Sequence, residues 1–343
     1  MRAILKPAPR KGLEFQDIEP PKPGPGEILI RVLRGGICGT DLHIYDWDKW
    51  ARGRIAPPVV IGHEFMGVVE GWGAGGGRYS AGQRVSAEGH ITCAACERCR
   101  TGEAHVCDST RILGIDTDGG FADLVTVPAS NVVALPDSVP DDYGALLDPF
   151  GNAIHAVVPA QVAGRSVAVV GCGPIGLFAV AVARLAGASR VIAIEPVAHR
   201  REMAAELGAH LALHPRADDV QAEVHRLTRG HGADVVCEMS GHPDGIRLSL
   251  DLCRSAGQLR LLGLPENPVE IDVARSVIFK GINVQGVVGR QMYDTWDAAL
   301  RFLEGGKIDL GPVITDRFPL EDFEYGFGKA RNGDAAKVLL ALD

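Results

Sequence analysis

With 343 residues and a net charge of −8, the chain lacks the basic face that a general nucleic-acid or anionic-membrane surface requires. No apolar run approaches the roughly 20 residues of a membrane helix, and the apolar start Met1-Arg2-Ala3-Ile4-Leu5 is too short for a signal sequence. The length exceeds what one core usually fills, so two domains are expected, and a 46% hydrophobic fraction supports them.

A cytoplasmic, reducing location follows, in which the eight cysteines read as metal ligands or buried thiols rather than disulfides. A proline-rich run at 20–26 is a stiff loop leading into a half-buried strand at 27–33. The chain then reaches Ile37-Cys38-Gly39-Thr40-Asp41-Leu42-His43, read as a loop, and later Gly62-His63-Glu64. A thiol, an imidazole and a carboxylate with one coordination position left open are the arrangement of a catalytic zinc. Thr40 adds a short proton carrier and His43 a base near neutrality. Singly, Cys38 is as well explained as a small buried apolar group and His63 as a core histidine; as a set they point to chemistry. Two tryptophans at 47 and 50 form either a packing cluster or the wall of a pocket.

The glycine-rich 70–77 stretch is a surface turn, because no helix follows it, and short strands at 67–70 and 82–86 flank it. Cys93, Cys96, Cys99 and Cys107, at separations of 3, 3 and 8, can close around one tetrahedral ion with no open position, as a structural zinc requires. An iron–sulfur cluster also takes four cysteines, and spacing does not separate the two. After a strand at 124–127 comes Asp148, a carboxylate in an apolar neighbourhood. It is either paired, ligating or ionisable for a purpose, or the cap of a helix begun by Pro149.

An apolar strand at 166–170 then ends in Gly171-Cys172-Gly173-Pro174-Ile175-Gly176. A helix at 177–187 and a strand at 190–194 follow, closed by Glu195, 19 positions after Gly176. That order is what a dinucleotide fingerprint needs. The glycines admit the pyrophosphate, and the carboxylate meets the adenosine ribose. Glu195 would repel a 2′-phosphate and so favours NAD over NADP, while Arg200 and Arg201 temper the preference. Strands at 233–239 and 258–263, a helix at 246–253 and an extended stretch at 281–289 continue the alternation of a doubly wound parallel sheet. From 295 on, two helical stretches and a strand at 336–342 are too short for a domain and should pack back on the first.

With these residues assembled, the chain resembles the zinc-dependent medium-chain alcohol dehydrogenases nearly end to end. The shared blocks are ICGTDLHIYDWDKW at 37–50, GHE at 62–64, EGHITC at 88–93, DPFGNAIH at 148–155, EMSG at 238–241, VIFKG at 277–281 and GRQMYDTW at 289–296. The zinc and glycine motifs belong to the whole family, whereas the first, fourth and last blocks are narrower and resemble its branch acting on L-threonine.

The resemblance implies a mainly β, GroES-like catalytic domain with a zinc lobe at 1–150. It implies a Rossmann NAD-binding domain at 151–294 and a 295–343 segment returning to the catalytic domain. It further implies a catalytic Zn2+ on Cys38, His63 and Glu64, with Asp148 near it as a fourth group or a residue tuning the base chemistry, and a structural Zn2+ on Cys93, Cys96, Cys99 and Cys107. Thr40 and His43 would form the proton relay. NAD would be met by Gly171, Gly173, Ile175, Gly176, Glu195, Arg200, the Leu262-Gly263-Leu264 turn, Val287 and Val288. Glu195 stands where family members would carry an aspartate, and it keeps the charge. The implied reaction is oxidation of L-threonine at C3, with His90 and the 148–152 segment as candidates for reading the amino-acid group. A homotetramer, and a coenzyme A-dependent 2-amino-3-oxobutanoate ligase that consumes the product, are also implied. Three rivals stand beside this reading, of which a zinc-ribbon nucleic-acid module is the weakest, since the four-cysteine lobe has only Arg98 and Arg100 as basic charge. A polyol or secondary-alcohol dehydrogenase would differ only in its pocket. A non-catalytic NAD-binding sensor predicts a lost ligand or relay residue, and none is lost.

Overall fold

The computed structural model describes residues 1–342, which separate into two compact units. The first comprises Met1–Asp148, Gln291–Glu304 and 314–342; the second comprises Pro149–Arg290 and Gly305–Val313. The chain after Arg290 is therefore divided. A short turn at Gly311–Val313 packs on the helices Pro174–Leu185 and Ala198–Glu206 of the second unit.

In the first unit a mixed sheet runs in the order Val132–Ala134, Arg84–Ala87, Glu64–Trp72, Glu27–Gly36, Lys337–Ala341, Ile314–Pro319, with Leu124–Pro128 also paired to Glu27–Gly36. Along Glu27–Gly36 the apolar Ile28, Ile30 and Val32 turn inward while their neighbours are partly exposed, the alternation of a strand with one buried face. Gly36 lies opposite Glu64 on one side and Leu339 on the other. That register brings the ends of three strands together.

Two elements here differ from the sequence expectation. The stretch after Cys38 is a helix, Gly39–Asp46, rather than a loop. It has little apolar periodicity to reveal it, since only Asp41 and Ile44 are buried, and it starts because the Asp41 carboxylate accepts the Cys38 N–H at 2.8 Å. The strand Ile314–Pro319 was not expected either. It carries Asp316, Arg317 and Pro319 at a sheet edge, where charge and proline are tolerated.

The second unit holds a six-stranded, wholly parallel sheet among the described residues. Its order is Leu211–Leu213, Arg190–Ile194, Ser166–Val170, Ala233–Glu238, Cys253–Leu261, Asn283–Gly286. Ser166–Val170 is buried throughout, as a central parallel strand covered on both faces must be. The order reverses beside it, which opens a crevice at the carboxyl ends of the strands. Among the described residues no helix is long and apolar enough to cross a membrane.

Candidate functional site

The ligand atoms of Cys38, His63 and Glu64 lie within 4.8 Å of one another. Cys38 caps the helix Gly39–Asp46 directly after its strand, and Glu64 begins the neighbouring strand. The Asp41 carboxylate, fully buried, bonds the Cys38 N–H and stands 3.7 Å from His63 Nδ1. Glu64 forms an ion pair with Lys337, whose Nζ also donates to Ile37 O at 2.9 Å. Asp148, in the first turn of Leu147–Val157, borders the group, because a Cβ on Gly89 would be 3.7 Å from its Oδ2 and 3.6 Å from His63 O.

The electrostatics are those of an acid-rich enclosure. Burial pushes the Asp41 and Glu64 carboxyls up. Burial alone would lower His63, but the Cys38 and Asp41 charges outweigh it and carry its pKa to about 10. The Cys38 thiol and the Asp41, Glu64 and Asp148 carboxylates outnumber the His63 ring and the Lys337 ammonium that they face. A dry site with that imbalance is stabilised by a divalent ion, and the soft–borderline S, N, O donor set suits zinc. The residues therefore fit the group.

Thr40 Oγ1 is 3.8 Å from Cys38 Sγ. Three residues on, His43 is 55% exposed at its side chain, and its Nδ1 is 2.5 Å from Asp48 Oδ2. Asp48 also caps the next helix, Lys49–Arg54, through the Ala51 N–H. Thr40 thus lies beside the ligand cluster, and His43, on the same helix, reaches solvent. Of the two tryptophans, Trp47 is core, with the Lys6 ammonium 4.7 Å from its ring centroid, whereas Trp50 is exposed and tilted beside His43.

His90 is held from behind. Glu88, fully buried, accepts from the His90 N–H and lies 2.8 Å from its Nδ1, and its other oxygen accepts from Trp296 Nε1 at 2.7 Å. Asp41, Lys337, Glu88 and Trp296 escaped the sequence reading. The available signals were an acid three residues past Cys38, a lysine opening an otherwise apolar strand, and the presence of Glu88 and Trp296 inside two of the narrow blocks.

In the cysteine lobe four of the six sulfur pairs are 3.5 to 4.0 Å apart, and all four sulfurs lie within 4.8 Å of one another. Metal–sulfur bonds of about 2.3 Å in a tetrahedron place sulfurs about 3.8 Å apart. That fits one ion, and it is too tight for a cluster that spreads its thiolates over several irons. Backbone N–H groups of Cys93 and Ser109 reach Cys107 Sγ at 3.4 Å each and help bring its pKa down to about 6.

In the second unit Gly171 has φ +89°, and a Cβ there would strike Ser240, while one on Gly176 would strike Gly171 O. Gly173 caps the helix Pro174–Leu185, with Ile175 in its first turn. Glu195 is buried and braced, accepting from the Cys172 N–H at 2.7 Å and the Val197 N–H at 3.0 Å. A cavity of about 500 Å³ is lined by Gly171, Gly173, Glu195, Arg200, Met239 and Ser240 among others. Arg201 is committed elsewhere, donating to Glu195 O and Pro196 O at 2.8 Å each. Leu262, Gly263, Leu264, Val287 and Val288 follow the ends of the next two strands and do not line this cavity; Leu264 is exposed and Val287 buried. A larger depression of about 860 Å³, bordered by Arg190, Arg229 and Arg254, contains none of the candidate residues.

Residues 24–137 match the alcohol dehydrogenase GroES-like domain family, and residues 174–305 match the zinc-binding dehydrogenase family. The chain is 47% identical over 340 residues to the L-threonine 3-dehydrogenase of Bacillus licheniformis, covering 99% of this chain and 98% of that protein. It is 43% identical over 343 residues to the L-threonine 3-dehydrogenase of Pyrococcus horikoshii, covering 100% and 99%. Among solved structures it is similar to 2R,3R-butanediol dehydrogenase from Bacillus subtilis, at 31% identity and TM-score 0.89 over 100% and 99% of the chains. It is likewise similar to a putative zinc-binding dehydrogenase from Sinorhizobium meliloti bound to NADP, at 30% identity and TM-score 0.91 over 99% of each chain.

Proposed function

The chain belongs to the zinc-dependent medium-chain alcohol dehydrogenases, and from that membership we propose that it oxidises the C3 hydroxyl of L-threonine with NAD, giving 2-amino-3-oxobutanoate. The observation that carries the substrate is the 47% identity, over nearly the full length, to an L-threonine 3-dehydrogenase.

In this reading Cys38, His63 and Glu64 hold a catalytic zinc, and Cys93, Cys96, Cys99 and Cys107 a structural one, in each chain. When bound, the catalytic zinc supplies Lewis acidity that eases ionisation of the substrate hydroxyl, and NAD accepts the hydride. Thr40 Oγ1 takes the hydroxyl proton and passes it outward toward His43, which Asp48 anchors at the surface. Asp148 tunes the charge beside the ligands. His90, propped by Glu88, contacts the charged end of the amino acid. Gly171, Gly173, Ile175 and Gly176 admit the pyrophosphate, and Glu195 and Arg200 meet the adenosine ribose. The Leu262–Leu264 turn, Val287 and Val288 contact the rest of the cofactor. Glu195 disfavours a 2′-phosphate, so NAD is preferred to NADP, with the Arg200 and Arg201 charges nearby reducing the margin.

The first unit, to which Gln291–Glu304 and 314–342 return, acts as the catalytic domain, and the second, Pro149–Arg290 with Gly305–Val313, is the Rossmann unit that binds NAD. The exposed edge strand Asn283–Gly286, with Ile278 and Phe279 exposed nearby, supports pairing of two chains, one of the interfaces that the homotetramer requires. The product is a β-keto acid that decarboxylates readily, so a coenzyme A-dependent ligase that cleaves it promptly is the expected partner in the cytoplasm.

The test follows NADH formation by absorbance, using zinc-loaded protein with L-threonine, D-threonine, sorbitol and 2,3-butanediol. The highest kcat/KM is expected for L-threonine. Turnover of the polyols without threonine would overturn the substrate and leave a polyol dehydrogenase. Cofactor binding without any turnover would mark a sensor.

A further inference from the structure

A lysine with 1% of its surface exposed lies against one of the proposed metal ligands. Lys337 opens the strand Lys337–Ala341, and its ammonium is fixed between the Glu64 carboxylate and Ile37 O. Gly36 makes the room. A Cβ there would strike Glu64 Oε2 and come within 3.4 Å of Lys337 Cε. Glu64 is equally buried, at 1% exposure, so water cannot replace either partner. The carboxylate is therefore claimed twice, by the ammonium on one side and by the Cys38–His63–Glu64 ligand group on the other.

We propose that Lys337 is a positioning residue that competes with the catalytic metal for Glu64, weakening that ligand so that the metal stays exchangeable and its open position available to substrate. The inference rests on the reading of Glu64 as a ligand. The physical argument is one of linked states. A fixed cation beside a carboxylate lowers its donor strength toward a second cation. Removing the cation leaves the metal-free protein with a buried, unbalanced carboxylate, whereas in the loaded protein the metal itself supplies the balance. The metal-free state loses more, so affinity for the metal rises.

The experiment compares zinc release from Lys337→Met, Lys337→Arg, Glu64→Gln and the Lys337→Met/Glu64→Gln double variant, using a chromogenic chelator. The same assay on Cys38→Ser identifies the part of the signal due to the four-cysteine lobe. We expect Lys337→Met to slow release from the Cys38 site about 10-fold and to widen the gap between loaded and metal-free melting temperatures. Lys337→Arg, which keeps the charge, should release at nearly the wild-type rate, and the double variant should lose the slowing. Should Lys337→Met not fold, Lys337→Gln removes the charge while keeping a donor for Ile37 O, and is read the same way. Faster release from Glu64→Gln combined with unchanged or faster release from Lys337→Met overturns the competition. Wild-type release from Glu64→Gln removes Glu64 from the ligand set, and the inference falls with that reading.

Discussion

The two cysteine-bearing centres of the first unit solve opposite physical problems. The lobe draws four thiols from 15 consecutive residues, lies partly in solvent, and supports its sulfur charge with its own backbone N–H groups. The Cys38 centre takes its ligands from two strand ends, buries Asp41, Glu64 and Lys337 almost completely, and balances its charges through residues far apart in the chain. Local chain geometry suffices for the first, and a formed sheet is the precondition for the second. The lobe's metal should therefore act on stability, and the Cys38 centre's metal on chemistry.

The sharpest way to break that contrast is to remove one thiol from each. Cys38→Ser should lower kcat/KM for L-threonine on the order of 10³-fold while the lobe keeps its metal. Cys99→Ser should leave turnover at 25 °C within a few-fold of wild type and lower the melting temperature by about 5 °C or more. NADH formation and a thermal scan on both proteins decide it. Equal losses of turnover would mean that the two centres are not functionally separate. A smaller effect sharpens the point inside the buried centre. Asp41→Asn keeps the shape but weakens the acceptor that fixes Cys38 and faces His63, so metal affinity should drop about 10- to 100-fold in a chelator competition. Unchanged affinity would reduce Asp41 to a helix cap.

The same contrast explains what could be read from the sequence. The lobe and the Gly171–Gly176 turn with Glu195 closing the next strand were visible because each is written in short-range spacing, and the Cys38, His63 and Glu64 set because its residue types sit in two recognisable short blocks. The helix Gly39–Asp46 was not, since a buried carboxylate at Asp41 starts it rather than an apolar stripe. Lys337 was hidden for a related reason. Its meaning depends on lying across Gly36 from Glu64, a register that only the folded sheet creates. Trp296 and Glu88 sit in separate blocks whose hydrogen bond spans 208 positions.

The cofactor site lies between the two cases, because its pattern is local while its acid is braced from a distance by the Cys172 N–H. Glu195→Ala should raise the KM for NAD about 10-fold, consistent with loss of a charged hydrogen-bond acceptor, and narrow the preference over NADP. Initial rates with both cofactors measure this. A variant that still rejects NADP as strongly as wild type would transfer the discrimination to another residue.

The smallest expected effect is a control without metal or cofactor. Asp234 accepts from the Ser166 N–H at 2.8 Å, Ser166 Oγ at 2.6 Å and Arg254 Nε at 2.7 Å. Burial would raise its carboxyl, as it does Asp41, but here Ser166 and Arg254 outweigh it and hold the pKa below its ordinary value. A depressed folded-state pKa contributes stability that is present above the unfolded value and lost as pH falls through the folded one. Asp234→Asn should therefore cost about 1–2 kcal/mol in urea unfolding at pH 7, with the gap from wild type closing as the pH falls below about 4. Because the partners belong to the protein, the gap should be the same in zinc-loaded and metal-free protein. A gap that persists undiminished in acid would assign the loss to packing rather than charge. The two aspartates would then no longer illustrate the difference between a carboxylate satisfied by its own chain and one that depends on a metal for balance.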